Sequence, residues 1–207
     1  FARGGFDAVI GNPPWGGDID KDLDYYHTTY SASTKYHTDS FKIFIQKAID
    51  LTKTSGLSSL IVPNTLLRQR RIMDVRELMT KETILKLVDL GEDVFEGVVA
   101  PSCVFTLQKG HQSQNTIDFL DLSHLPEEER IRVIKQSEKL AIQIPQDYIQ
   151  NNAEKEFQPI FQVNNTQLIQ LGNFTDLTLK DAGINYQRVN VGMQEKGNSN
   201  LSERLLY

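Results

Sequence analysis

The sequence lacks the features that mark secreted, disulfide-rich or membrane proteins. Its single cysteine, Cys103, excludes an internal disulfide framework and is compatible with a reducing, cytoplasmic location. No window approaches the roughly 18 to 20 apolar residues of a membrane span. The start of the chain has neither the charged segment nor the cleavage site of a signal peptide. These absences favour a cytoplasmic protein with no membrane partner.

Metal ligands and basic charge are also scarce. The four histidines have no metal-ligand spacing with the cysteine or with any acidic residue, so we predict no metal site. The formal net charge of −5 gives no overall support for nucleic-acid binding, although a local cleft can be basic in an acidic protein. The chain begins at Phe1 rather than Met, and we interpret it as an internal piece of a longer polypeptide.

What is present is ordinary globular composition in alternating patterns. Of the 207 residues, 39% are hydrophobic and 24% charged, which suits one domain and part of another. Apolar residues from Phe41 to Ile49 recur at helical spacing, and Asp39 or Ser40 can cap that helix. A second helix is predicted at about 71–81, and strands are predicted at 6–11, 57–63, 84–90, 102–108 and 116–122.

This order predicts an α/β fold whose strands are parallel at first and end in an antiparallel edge hairpin. A charged helix begins near Pro126, and a Gln- and Asn-rich linker is predicted at 141–165. We therefore predict a first domain at 1–123, a helical linker at 124–156 and the start of a second domain at 157–207. The tyrosine-rich segment 16–38 has no sustained periodicity, and loops of that length are usually functional or disordered.

The segment FDAVIGNPPWGG, residues 6–17, joins a buried strand to a rigid polar turn. Pro13 and Pro14 remove two backbone donors and forbid a helix, so Asn12 and Trp15 lie on a stiff platform directly after the strand. Ligands bind at this end of the strands in open α/β sheets. The Asn12 carboxamide oxygen and the Pro13 carbonyl can accept both hydrogens of an exocyclic NH2, and Trp15 offers a stacking face. The segment therefore predicts a site for an aminopurine or aminopyrimidine base.

This segment resembles the catalytic motif of amino-group DNA methyltransferases, Asn/Asp/Ser-Pro-Pro-aromatic. Two later segments, DSFKIFIQKAIDLTKTSGLSSLIVPNTLL (39–67) and LVDLGEDVFEGVVAPSCVFTLQKG (87–110), are similar to the next blocks of the gamma-type adenine enzymes. That group includes Taq-type methyltransferases and the fused type IIG restriction–modification enzymes. The resemblance covers roughly residues 4–122.

The resemblance implies the C-terminal half of a Rossmann-like, S-adenosylmethionine-dependent methyltransferase sheet over 1–123, followed by the start of a target-recognition domain. It also implies methyl transfer to the N6 amino group of a flipped adenine in double-stranded DNA, within a restriction–modification or phage-defence system. Enzymes that act on a base take it out of the stack at a cost of a few kcal/mol, which aromatic side chains on both faces of the base offset.

Roles carry over position by position. Asn12, Pro13, Pro14 and Trp15 form the catalytic motif, and Phe95 stands where the family places a second aromatic against the flipped base. The simpler structural alternatives are a rigid turn with Trp15 in the core and a hydrophobe at 95 that anchors its loop.

Five further residues are candidates for cofactor or DNA contacts. Phe44 falls where the family has an aromatic near the adenine of S-adenosylmethionine, and Asp39 heads the same block, so both are predicted to bind the cofactor. Arg68, Arg70 and Arg71 follow the second strand of the series and are predicted to contact DNA phosphates. Alternatively, Phe44 belongs to the helix core and the arginines form a solvated helix start.

Two other features leave alternatives open. The tyrosines from Tyr25 to Tyr36 form either a DNA-facing loop or a disordered lid. Cys103 lies inside a predicted strand, where buried packing is favoured over a nucleophilic role.

The glycine-rich loop through which the family chiefly binds its cofactor would precede Phe1. We therefore expect this chain to bind S-adenosylmethionine weakly or not at all, and not to methylate DNA without the remainder of the parent polypeptide. An exposed sheet edge would favour self-association. A methyltransferase for RNA or a protein glutamine amide and a non-catalytic DNA- or subunit-binding module are the alternatives. The long continuation beyond Leu122 favours DNA.

Overall fold

The chain divides into two compact units, Phe1–Pro159 and Ile160–Tyr207. The predicted start of a target-recognition domain, 157–207, lies outside the described residues except for Phe157. In the part of the chain that is described, no helix is both long and apolar enough to cross a membrane. The computed structural model describes residues 4–17, 19–95, 100–135 and 141–157.

The described residues form one six-stranded sheet with helices packed against it. Short 3₁₀ helices connect some of these elements at Asp20–Asp22, Asn64–Leu67 and Arg70–Ile72. The main elements are β1 (Phe6–Gly11), α1 (Leu23–Thr29), α2 (Ser40–Leu51), β2 (Thr52–Pro63), α3 (Met73–Met79), β3 (Thr83–Gly91), β4 (Ser102–Gln108), β5 (Thr116–Asp121), α4 (Glu127–Lys135), β6 (Ile142–Pro145) and α5 (Gln146–Asn151).

The strand order is β1-β2-β4-β3-β5-β6. Strand β1 pairs parallel with β2, and β3 pairs parallel with β5. Strands β2 and β3 have the same direction because both are antiparallel to β4 between them. Strands β1, β2, β3 and β5 therefore all point the same way. Strand β4 runs against both β2 and β3, and β6 runs against β5. This mixed sheet with its helices confirms the predicted α/β class.

The arrangement of the last strands differs from the prediction. We expected 102–108 and 116–122 to form an antiparallel hairpin at the sheet edge, but β4 inserts between β2 and β3, and β5 pairs with β3. Strand β4 supplies Cys103, Phe105 and Leu107 to the buried face, so its central place removes both of its edges from water. Local pattern cannot show this, because strands β2 and β4 are distant in sequence.

The larger core lies on the face of the sheet covered by α2 and α3. It joins Phe41, Ile45 and Ile49 of α2 to Val75 and Met79 of α3 and to the inward side chains of the strands. A smaller apolar cluster on the opposite face contains Val88, Leu90, Leu120 and Leu122, with Val133 of α4 packed against it. The sheet is therefore covered on both faces over β3 and β5, as expected for parallel strands.

A buried ion pair joins α2 to α3. The Lys42 ammonium lies 2.9 Å from Asp74 Oδ2, and both side chains are fully buried. The same ammonium donates to the His37 carbonyl, and the Lys35 amide donates to Asp74 Oδ2 at 3.0 Å. Burial lowers the pKa of Lys42, opposed by the Asp74 carboxylate. The pair thus fixes the chain that leads into the start of α2.

Two segments predicted to be irregular contain regular structure. The tyrosine-rich segment 16–38 includes α1, and Tyr25 and Tyr26 of this helix contact each other and Tyr30 directly after it, so the segment is not the disordered lid of one alternative. The range 124–156 contains α4 and α5, but it also contributes strand β6 to the sheet. The predicted boundaries of the domains and of the helical linker stay a prediction.

Candidate active site

The loop that follows β1, residues 12–17, stands where the parallel strands end. The carboxyl ends of β1, β2 and β3 meet at the same edge of the sheet because these strands share one direction. In this loop Asn12 and Pro14 are exposed, Pro13 is buried and Trp15 is half-buried against the main core. The buried proline fixes the loop on the sheet, whereas Asn12 meets solvent, as a residue that receives a substrate must.

The start of α2 holds this loop through two side chains. The Gly16 amide donates to Asp39 Oδ1 at 3.3 Å, and the same oxygen caps α2 by accepting the Phe41 amide at 3.3 Å. The Ser40 hydroxyl donates to the Pro14 carbonyl at 2.7 Å and accepts the Gly17 amide at 3.1 Å. These contacts fasten a segment that the two prolines deprive of its own backbone donors.

The structure brings together the two aromatic residues predicted to face the base. The Trp15 and Phe95 rings meet edge to face, with centroids 6.0 Å apart and planes inclined at 72°. Phe95 lies in the loop after β3 and Trp15 in the loop after β1. Their contact therefore joins loops from two strands that are not neighbours in the sheet. Because the rings touch, a base can enter between them only if they part and turn parallel.

A second polar pair lies at the same edge and was missed by sequence reasoning. Asn64, the first residue after β2, donates to Asp89 Oδ1 at 3.2 Å, and the Gly91 amide donates to that oxygen at 3.1 Å. Gly91 has a φ of +72°, a conformation that favours glycine, and a Cβ there would meet the backbone of Ser123. The only sequence signal was the position of Asn64 and Asp89 at the ends of two strands.

The two predicted cofactor residues lie in different environments on α2. Phe44 is 44% exposed, which corrects the alternative that it belongs to the helix core, since it lies on the flank of the apolar stripe. Its open ring fits a stacking role toward an adenine. Asp39 already accepts two amides through Oδ1, so its first role is to cap α2 and hold Gly16. The described residues thus fit the cofactor in part, through Phe44.

The predicted phosphate contacts are not equivalent. Arg70 and Arg71 are exposed and Arg68 is half-buried. The Arg70 Nε lies 3.7 Å from Glu154 Oε1, which offsets part of its charge. Burial raises the pKa of Glu156, with Arg68 among the groups that oppose this shift, so that arginine also has an acidic neighbour. Arg71 is the candidate whose charge is most open to a phosphate.

The loop after β2 is held by a buried arginine that sequence reasoning missed. The guanidinium of Arg76 donates to the carbonyls of Leu66, Gln69 and Glu154 at 3.0, 2.9 and 2.8 Å. Burial lowers the pKa of Arg76 to about 10, opposed by Glu156 and the other nearby acids. A charged residue within a short helix gave no signal of this role.

Two remaining predictions concern Cys103 and metals. Cys103 is fully buried in β4, and burial raises the pKa of its thiol well above the usual value, which confirms a packing role. Over the ranges that the structure describes, no group of three or more His, Cys, Asp or Glu side chains could hold a metal ion.

Comparison with known proteins shows what the chain is similar to. The sequence model of the family described as Eco57I restriction-modification methylase matches residues 1–95. The resemblance to restriction–modification methylases is confirmed. The matched range contains the Asn12–Trp15 loop, the start of α2 and Phe95, so it includes every residue predicted to contact the base or the cofactor.

Two curated relatives are similar over about half of the chain. A protein of Methanocaldococcus jannaschii named as a type II restriction enzyme and methyltransferase is 32% identical over 109 residues, 51% of this chain and 9% of the relative. The type II restriction enzyme and methyltransferase RM.Eco57I of Escherichia coli is 27% identical over 112 residues, 50% of this chain and 11% of the relative. The chain therefore spans about a tenth of the length of these relatives.

Solved structures show the same fold. The methyltransferase subunit of a type I restriction–modification system from Streptococcus thermophilus superposes with a TM-score of 0.58 at 18% identity, over 75% of this chain and 38% of that one. The DrdV–DNA complex gives a TM-score of 0.56 at 15% identity, over 76% and 18% of the two chains. The chain thus shares its fold with a methyltransferase subunit of a restriction–modification system.

Proposed function

We propose that this chain is the catalytic part of a DNA adenine-N6 methyltransferase of a restriction–modification or phage-defence system. The observation that carries the proposal is the loop after β1, in which an exposed Asn12 and a fixed diproline precede an aromatic ring paired with Phe95. A turn built for stability alone needs neither the exposed carboxamide nor a second ring from a distant loop. The partner is double-stranded DNA with a flipped adenine.

The chemistry assigned to the loop is hydrogen bonding to the reacting amino group. The Asn12 carboxamide oxygen and the Pro13 carbonyl would each accept one N–H of the adenine amino group, so that the nitrogen lone pair faces the incoming methyl group. S-adenosylmethionine, when bound, supplies that methyl group, and Phe44 would stack on its adenine. No general base is required, because the proton can leave after the methyl group arrives.

Binding of the flipped base would use the two aromatic rings. Trp15 and Phe95 would separate from their edge-to-face contact and cover the two faces of the base, which offsets the cost of unstacking. DNA is favoured as the substrate because the similar relatives are named restriction enzymes and one solved neighbour is a DNA complex. Arg71, the least neutralised of the three arginines, would contact a phosphate.

The identity of the methylated product tests this proposal. The complete natural polypeptide would be given labelled S-adenosylmethionine with duplex DNA, RNA or a glutamine-bearing protein, each with Asn12→Ala as the control variant. We expect label on adenine N6 of DNA, lowered about 10²–10³-fold by Asn12→Ala, the range seen when one preorganised polar contact to a reacting group is removed. Label on RNA or protein, or DNA binding without methylation, would contradict the proposal.

A further inference from the structure

We propose that Ser40 is a positioning residue for the catalytic loop: its hydroxyl group sets the orientation of the backbone that carries Asn12, Pro13 and Trp15. The inference rests on the proposed function and deepens it, because it names a residue outside the Asn-Pro-Pro-Trp motif on which the geometry of the two acceptors depends.

The need for such a residue follows from the composition of the loop. Pro13 and Pro14 have no backbone N–H, so this part of the loop can form backbone hydrogen bonds to the rest of the molecule only through its carbonyl oxygens. The first amides that bond to α2 are those of Gly16 and Gly17, beyond the reacting part of the loop. A donor aimed at the Pro14 carbonyl is therefore the contact that fixes the diproline itself.

Ser40 supplies that donor and also closes the loop on its far side. Its hydroxyl donates to the Pro14 carbonyl at 2.7 Å and accepts the Gly17 amide at 3.1 Å. One hydroxyl thus bonds to two residues of the loop that are three positions apart, Pro14 through its proton and Gly17 through a lone pair. Ser40 is 4% exposed, so water competes little for either bond.

The contact to Pro14 has a direct consequence for the substrate site. Because a peptide unit is planar, holding the Pro14 carbonyl fixes the plane of the Pro14–Trp15 peptide and with it the position of the Trp15 Cα that carries the ring. The Ser40 hydroxyl does not bond to the Pro13 carbonyl, because it donates its proton to the Pro14 carbonyl instead. The acceptor assigned to the adenine amino group is therefore separate from the one used to hold the loop.

Ser40 is itself held on a rigid support. It is the first residue of the 12-residue helix α2, directly after the capping Asp39. Two residues further on, Lys42 is locked by its buried ion pair with Asp74. Sites mounted on packed helices hold their geometry better than contacts between two loops.

Three variants of the complete natural polypeptide test the role of this hydroxyl. Ser40→Ala should lower kcat about 10- to 100-fold, since small misplacements of reacting groups have effects of this size, with the KM for DNA changed less than about threefold. Ser40→Thr, which keeps the hydroxyl, should recover most of the kcat. The control Thr52→Val removes a buried hydroxyl that donates to the Ala48 carbonyl at 2.7 Å at the other end of α2, and should keep the wild-type kcat.

A merely structural role for Ser40 predicts a different pattern. Ser40→Ala and Thr52→Val would then lower the thermal midpoint and the kcat alike. Equal losses in the two variants would overturn the proposal. So would a kcat of Ser40→Ala within about twofold of wild type, or a Ser40→Thr variant as slow as Ser40→Ala.

A readout without catalysis separates this inference from the proposed function. Trp15 is the single tryptophan of the 207 residues. With any tryptophan elsewhere in the complete natural polypeptide replaced by phenylalanine, the remaining fluorescence reports on the loop. Ser40→Ala should increase acrylamide quenching of Trp15 and Thr52→Val should not. Unchanged quenching in Ser40→Ala would contradict the positioning role even if Asn12-dependent methylation is found. Increased quenching would support it even if no substrate is methylated.

Discussion

The loops that follow β1 and β2 leave the same edge of the sheet but are held in different ways. Residues 12–17 are fixed by two prolines and by short side chains at the start of α2. Residues 64–72 are fixed by the long guanidinium of Arg76 and by the Phe157 amide, which donates to the Leu67 carbonyl at 2.8 Å. The first loop keeps Asn12 open to solvent, whereas the second displays arginines.

The difference teaches how each loop depends on the rest of the molecule. The first is anchored to one helix, whose start is in turn fixed by the Lys42–Asp74 pair. The second depends on a segment more than 80 positions away, because Glu154 shares the Arg76 guanidinium with the loop and also pairs with Arg70. The first loop is therefore held by a helix 23 to 26 positions further along the chain, whereas the second is also held by a segment more than 80 positions away.

The largest expected effect comes from the ion pair behind the first loop. Lys42→Met should lower the free energy of unfolding by about 3–5 kcal/mol, because it leaves the Asp74 carboxylate buried without its partner. Urea denaturation measures this loss. The double variant Lys42→Met/Asp74→Asn should regain part of it, and Lys35→Met, in the exposed pair with Glu77, should cost less than about 1 kcal/mol. Equal losses at Lys42 and Lys35 would contradict the account.

The junction at the second loop is expected to be somewhat less sensitive. Arg76→Met should cost about 2–4 kcal/mol, since three carbonyl groups lose their donor at once. The exposed Arg71→Met is the matched control and should change stability by less than about 0.5 kcal/mol. Hydrogen exchange should show faster exchange at the Phe157 amide in Arg76→Met. An unchanged exchange rate of the Phe157 amide in Arg76→Met would contradict the proposed link between the two segments.

The smallest effect concerns DNA affinity at the exposed arginines of the second loop. Arg71→Ala should weaken DNA binding by about three- to tenfold and lower the salt slope by about one, as expected for one phosphate contact. Arg70→Ala should have a smaller effect because Glu154 lies 3.7 Å from its guanidinium. Titrations at several salt concentrations distinguish the two. Equal effects at both positions would show that Glu154 does not shield Arg70.

Much of the first loop could be predicted from sequence. A short apolar run, two prolines and an aromatic residue are local signals, and they correctly placed Asn12 at the end of a strand. The prediction that this strand is buried is wrong, because β1 lies at the edge of the sheet and leaves Phe6 and Ile10 exposed. Asp39 as a helix cap followed from the same kind of pattern. The structure adds that Asp39 and Ser40 also form hydrogen bonds with the loop. No local pattern predicts these bonds, because the partners are more than 20 positions apart.

Contacts between segments that are distant in sequence could not be predicted from local patterns. The place of β4 between β2 and β3 depends on pairing between distant strands, so the sequence suggested a hairpin instead. Lys42 lies on a helix whose buried residues are mostly apolar, and neither it nor Arg76 gave a sign of burial, since their compensation comes from Asp74 and from carbonyls of distant segments. Strand β6 joins the sheet through β5, although its composition predicted a linker.

One measurement compares the two loops through the same residue type. The single-turnover rate of methyl transfer to adenine N6 would be measured in the complete natural polypeptide for wild type, Asn12→Ala and Asn64→Ala. Asn12 follows β1 and is exposed, whereas Asn64 follows β2 and donates to Asp89. We predict a loss of at least about 100-fold for Asn12→Ala and less than about tenfold for Asn64→Ala. An Asn12→Ala variant that keeps the wild-type rate would contradict the role of this loop in catalysis.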